Sequence, residues 1–208
     1  MDDMTLFVRC VPTETNAERI IAAAKSAVRA VCERLSIDFD EAPVRWEGET
    51  EEHTWFADTP FECVMFLSID HKNGIARFEI STSSPEASQE LREAFCRCVG
   101  CTTLEEQLRV LRTSQNLGEL DLVRAGLLAE GQGENEQLAE EVARAFKALD
   151  PGLRRAATYT TFLLRWTGLL TLLTEAVSME EDAELKELME ETLRALRESP
   201  PRPRIRQL

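Results

Sequence analysis

Six cysteines, at positions 10, 32, 63, 96, 98 and 101, are the residues of this chain with the widest chemical range. Cys96, Cys98 and Cys101 form a C-x-C-x-x-C spacing, the one spacing in the chain that asks for a metal. A structural zinc wants four nitrogen or sulfur ligands, usually from two paired turns. The two histidines, His53 and His71, supply no H-x-x-x-H pair. The three thiols are therefore weak metal candidates, with packing thiols at a helix end as the alternative. Cys10, Cys32 and Cys63 each lie in an apolar run and read as small core residues. An even number of cysteines argues for disulfides only in a secreted chain.

Neither histidine neighbours a Ser or Cys in a nucleophile turn, so no hydrolytic triad is written in the chain. His71 falls at a hairpin tip and reads as a turn residue. His53 follows Glu51 and Glu52; that neighbourhood could raise its pKa or hold a divalent cation, but a solvated acidic strand or loop is preferred. Gly131-Gln132-Gly133 is too short for a dinucleotide fingerprint and follows a helix where that motif requires a strand. There is no Walker lysine. The expectation is a protein that is not an enzyme and carries no cofactor.

The charge balance excludes further classes. Of 208 residues, 24 are Lys or Arg and 38 Asp or Glu, for a net charge of −14. The excess is shared, with 10 basic against 19 acidic residues up to position 100 and 14 against 19 beyond it. Phosphate-binding surfaces draw affinity from clustered Lys and Arg, so neither nucleic acid nor an anionic membrane is expected as a partner. An acidic surface suits another protein, and a basic one in particular; acid excess that merely keeps a protein soluble is the plainer reading. No run approaches the roughly eighteen apolar residues of a membrane span. Met1-Asp2-Asp3-Met4 opens with acids where a signal peptide would carry Lys or Arg. A cytoplasmic location is expected.

Two groups of residues could contact a protein. Tyr159, Phe162, Arg165 and Trp166 are types enriched at interface hot spots; Phe162 and Trp166, four apart, would share a helical face, leaving Leu163 and Leu164 to the core. Such aromatics also commonly serve as core. The second group is the acidic stretch with Glu47, Glu49, Glu51, Glu52 and Trp55.

The elements that must position these residues follow from periodicity. Residues 4–11 are β-prone and stop at Pro12. A helix then follows, capped by Thr15 or Asn16, with Ile20, Ala24, Val28, Val31 and Leu35 at helical spacing. One or two strands are expected between Asp38 and Asp58. Phe61–Asp70 and Ile75–Thr82 read as a hairpin, for which Asn73-Gly74 suggests a type I′ turn. A second helix starts at Ser84-Pro85 and runs toward Gly100. From Thr102 onward six helical patterns succeed one another across short separators, a spacing that makes neighbours antiparallel. The fold expected is thus an α+β domain over 1–101, with an antiparallel sheet of four strands or fewer and two helices. An all-α domain follows over 102–198, then a Pro/Arg-rich tail over 199–208, which reads as an extended docking peptide or a frayed terminus.

Three of the later helices superpose at offsets of 30 and 32 residues when anchored on Val123, Leu153 and Leu185, a period that marks stacked repeats. The central unit, Asp150-Pro151-Gly152-Leu153-Arg154-Arg155-Ala156-Ala157, resembles the short bacterial HEAT-like repeat, whose helix opens with an Asp-Pro turn and a hydrophobe-Arg stretch running into an Ala-Ala pair. The resemblance covers about 118–197. The first unit lacks the Asp-Pro turn and the third lacks the Arg and the small pair, as capping units would; a non-repeating bundle is the alternative. The resemblance implies protein binding. The expected function is accordingly an adaptor that uses a helical-repeat face. An acidic immunity or antitoxin-like inhibitor of a basic partner is a second class, and an undetected enzyme or metal-binding protein in the first half a third.

Overall fold

The computed structural model describes residues 6–57, 63–114 and 118–198. The proline- and arginine-rich segment 199–208, the opening residues 1–5 and the separator residues 115–117 lie outside the described residues. The chain divides into two compact units between Thr102 and Thr103.

The first unit runs β1 (Leu6–Pro12), α1 (Ala17–Leu35), β2 (Asp40–Glu41), β3 (Arg45–Glu47), β4 (Thr50–Ala57), β5 (Cys63–Asp70), β6 (Ile75–Thr82), α2 (Pro85–Val99) and β7 (Cys101–Thr102). The strands form one seven-stranded sheet in the order β2-β4-β5-β6-β1-β7, with β3 also on β4, and every pairing is antiparallel. The sheet is wider than the four strands expected. Four strands of seven or eight residues make its body, and the rest are pieces of two or three residues too short to leave a period in the sequence.

Alternation along β5 decides which face is buried. Cys63, Met65, Leu67 and Ile69 point inward, opposite Thr82, Ile80, Phe78 and Ala76 of β6 in register. The two helices cover that face. α1 brings Ile20, Ala24, Ala27 and Val31 and α2 brings Leu91 and Phe95, and the Phe95 ring stacks on Phe78 at 4.3 Å between centroids. The helix starts follow from side-chain caps: Asn16 accepts from the Arg19 amide and Ser84 from the Ala87 amide, each satisfying a first-turn N–H with no partner inside the helix.

The type I′ turn that Asn73-Gly74 suggested is absent. Asp70 pairs with Ile75, so the β5–β6 loop has four residues, His71 to Gly74, and only Gly74 has a positive φ. The Asp70 carboxylate accepts from both the backbone and the side chain of Asn73. Asn73 does not take the left-handed conformation a type I′ turn demands.

The second unit is helical: α3 (Leu104–Thr113), α4 (Glu119–Ala129), α5 (Glu136–Phe146), α6 (Pro151–Leu164), α7 (Thr167–Met179) and α8 (Ala183–Glu198). A capping box starts α3, in which Thr103 accepts from the Glu106 amide while the Glu106 carboxylate accepts from Thr103. α6 packs on both α4 and α8, and α5 on both α3 and α7, giving two rows of neighbours. α4 meets α6 closely: a Cβ on Gly126 would lie 2.9 Å from a Thr160 methyl. The other buried hydroxyls of α6 bond back along the helix, Thr158 to the Arg154 carbonyl and Thr161 to the Ala157 carbonyl, so burial leaves them satisfied. Among the described residues no helix is long and apolar enough to cross a membrane.

Arg154 ties the turns at one end of this unit together. Its guanidinium donates to both oxygens of Glu180, at 2.7 and 2.9 Å, and to the carbonyls of Ala148 and Leu149. Glu180 also accepts from the amides of Glu181 and Asp182 at the start of α8. The Arg154 hydrogen bonds outweigh burial and hold the Glu180 carboxyl below its ordinary value. A carboxyl lowered on folding contributes stability above its unfolded pKa, and that contribution is lost as pH falls through the folded value. Glu180→Gln should therefore cost about 1–3 kcal/mol at pH 7 in urea unfolding, with the gap to wild type closing below about pH 4. A gap that persists unchanged at acid pH would count against this clamp.

Candidate functional site

The thiol triplet forms differently from its spacing. Cys96 and Cys98 lie on α2, where two residues are about 200° apart around the axis, so Cys96 turns toward the core while Cys98 is exposed. The third thiol comes from the first strand. Cys10, on the inward face of β1 opposite Phe78 and only 2% exposed, meets Cys96 and Cys101, and the three sulfurs lie within 4.8 Å of one another. Among the described residues these are the His, Cys and acidic side chains whose donor atoms converge closely enough to share a metal. Cys10 is a core residue as expected, and its approach to Cys96 and Cys101 leaves no mark in the spacing of Cys96, Cys98 and Cys101. Cys63, buried on β5, does behave as a core thiol, and burial pushes it up to about 11.

Two backbone features hold the triplet. α2 ends at Gly100, whose N–H donates to the Cys96 carbonyl at 2.8 Å and whose φ of +65° turns the chain back. Thr13, just past β1, donates its amide to the Gly100 carbonyl and its hydroxyl to the Val99 carbonyl. Cys101 thus begins β7, which pairs with the end of β1, Pro12 opposite Cys101. A Cβ on Gly100 would also lie 2.8 Å from the Thr13 hydroxyl.

The thiols interact as one group. Hydrogen bonds from Cys10 and Cys101 lower the pKa of Cys96, and Arg92, one turn earlier on α2, lowers it further. Cys10 is raised, by its hydrogen bonds to Cys101 and Cys96 and by burial. In Cys101 a lowering hydrogen bond with Cys10 is outweighed by the bond to Cys96 and by burial, which push it up. Of the three thiols Cys96 is therefore the one whose pKa is lowered, while Cys10 and Cys101 beside it are raised.

A second cluster lies at the other edge of the sheet. His53 is 3% exposed and faces the core on β4, with Nε2 2.9 Å from one Glu51 oxygen, and Nδ1 is 3.8 Å from Glu41. His71 reaches the second Glu51 oxygen at 2.8 Å from the β5–β6 loop. Burial alone would raise the Glu51 carboxyl, but the bonds from His71 and His53 leave it lowered. His53 is thus a core residue, not part of a solvated acidic strand: alternation along β4 puts it on the same face as Trp55.

The expected protein-contact residues are split by the fold. Trp55 is 3% exposed and stacks on His53, so it is core. Glu47 and Glu49 are exposed, Glu52 is half-buried, and Glu51 is committed to the two histidines. The aromatic exposed beside them is Trp46, 60% accessible on β3 and stacked on His71. In the helical unit the stripe through Trp166 breaks. α6 ends at Arg165, which takes a left-handed conformation with φ 54°, and Trp166 becomes the buried residue that opens α7. Phe162 is half-buried with the Arg165 guanidinium 5.4 Å from its ring, and Tyr159 is exposed. No protein family, characterised protein or solved structure matches the chain.

Gly100→Ala forces a left-handed φ on an L residue and crowds Thr13, so it should destabilise the first unit by about 1–3 kcal/mol, read as a lower urea midpoint. In the reduced chain, iodoacetamide labelling followed by peptide mass spectrometry should find Cys96 alkylated well below the ordinary thiol pKa of about 8.5, while Cys10 and Cys101 resist at neutral pH. A Cys96 rate that rises only around that ordinary value would contradict the lowered Cys96 pKa.

Proposed function

We propose that the chain is a non-enzymatic adaptor that binds another protein through its helical unit, with α4, α6 and α8 as a short run of HEAT-like repeats. Support comes from the outer face of α6 and α8. Arg155 bridges to Glu184 at 3.2 Å, and one turn further along each helix Tyr159 and Leu188 are exposed, at 45% and 36%. An aromatic and an aliphatic side chain beside an arginine match the composition of interface anchors. The row order of the helices, with α6 between α4 and α8, is the packing that stacked units would adopt.

One observation favours a second reading, an acidic inhibitor of a basic partner. Trp46 stands exposed next to Glu47, on the hairpin whose turn carries Glu49. An accessible ring flanked by carboxylates offers a basic surface both an apolar anchor and charge complementarity.

Affinity co-purification of the tagged full-length chain from its native cell, at low and high salt, separates the readings. The adaptor reading expects a stoichiometric protein retained at both salts, lost with Tyr159→Ala/Leu188→Ala while the melting temperature holds, and kept by Trp46→Ala. Loss at high salt and with Trp46→Ala, but not with the helical pair, would replace it by the inhibitor reading. A partner-free eluate at both salts would overturn both.

A further inference from the structure

We propose that Cys10, Cys96 and Cys101 form a three-sulfur binding site for a closed-shell thiophilic metal ion, Zn(II) or Cu(I). The site is independent of protein binding by the helical unit and lies wholly within the first unit. Three thiols from a strand, a helix and the turn after it converge within 4.8 Å. Zinc–thiolate bonds of about 2.3 Å in tetrahedral geometry put sulfurs about 3.8 Å apart, so closure onto an ion asks for side-chain rotations of about 1 Å or less. The scaffold for this is rigid: β1 is paired on both sides, and Thr13 pins the Gly100 turn.

The donor set selects the ion class. With sulfur alone in the cluster, hard cations such as magnesium and calcium, which require oxygen, are excluded. Cu(I) is satisfied by three thiolates; zinc would take a water at its fourth position, and the half-buried Cys96 and Cys101 leave a side for it. Arg92, one turn earlier on α2, lowers the Cys96 pKa through its charge and would offset part of the negative charge three thiolates place there, the role of an outer-shell partner. Simple core filling explains Cys63, a fully buried thiol on β5 opposite Thr82. It does not explain three thiols from separate elements whose sulfurs converge within 4.8 Å. Binding releases the remaining thiol protons to solvent, so affinity rises with pH.

The test uses the full chain, reduced and stripped of metal. Titration with Co(II), as a spectroscopic stand-in for zinc, should give sulfur-to-cobalt charge transfer in the near ultraviolet that saturates at one ion per chain and is abolished by Zn(II). Anaerobic competition with a chromophoric Cu(I) chelator measures the other ion; tight one-to-one binding of either supports the site, and the tighter assigns it. Cys96→Ser and Cys101→Ser, at half-buried positions, should each weaken binding by more than the roughly 10- to 100-fold that loss of an outer-shell partner costs. Cys98→Ser and Cys63→Ser should leave it unchanged, with circular dichroism confirming that each variant is folded. Should Cys10→Ser fail to fold, the wild-type stoichiometry and the other two variants still decide. Neither ion binding near one per chain, or Cys98→Ser losing as much as Cys96→Ser, would overturn the proposal.

Discussion

The antiparallel pairing of β1 with β6 holds the first unit together. It joins residues about seventy positions apart, Val8 to Ile80 and Cys10 to Phe78, and so closes a loop that contains α1 and most of the sheet. Closing so long a loop costs conformational entropy, which the inward-facing apolar residues must offset by burial. Arg9 adds a polar tie on the opposite face, donating to Glu79 at 2.7 Å from a nearly buried position. Once β1 is seated, its end lies beside the end of α2. Thr13 then takes hold of the Gly100 turn, and the three thiols meet as a consequence.

The helical unit depends on a different kind of constraint. Its central helix, α6, has partners in both rows, and its polar residues are buried at several positions. Thr160 leaves room only for a hydrogen at Gly126, while Thr158 and Thr161 bond to their own helix. Arg154 spends every donor group on the turns around it. The arginine of the Asp150–Ala157 stretch thus has a physical task in the unit, that of joining consecutive turns through Glu180.

The acid excess is divided in use. Glu51, Glu79 and Glu180 are engaged by histidine or arginine and belong to the folded framework, whereas Glu47 and Glu49 are exposed beside Trp46. Net charge by itself does not separate these roles, since a carboxylate bonded on both oxygens contributes little to a surface field that steers a partner.

By itself the sequence determined what is local. Apolar residues at helical spacing placed α1 and α2, alternation placed β5 and β6, and capping residues such as Asn16, Ser84 and Asp150 marked helix starts, because each signal is read over one or two turns of chain. The six helices of the second unit were legible for the same reason. Tertiary structure alone decided the rest. Strand register put His53 and Trp55 inward; a left-handed Arg165 ended α6 and removed Trp166 from its surface; and β1 carried Cys10 to Cys96 and Cys101 while α2 turned Cys98 away. Spacing along a chain reports which side chains share a face of one element, whereas a site assembled from several elements depends on long-range pairing and packing, which no local period encodes.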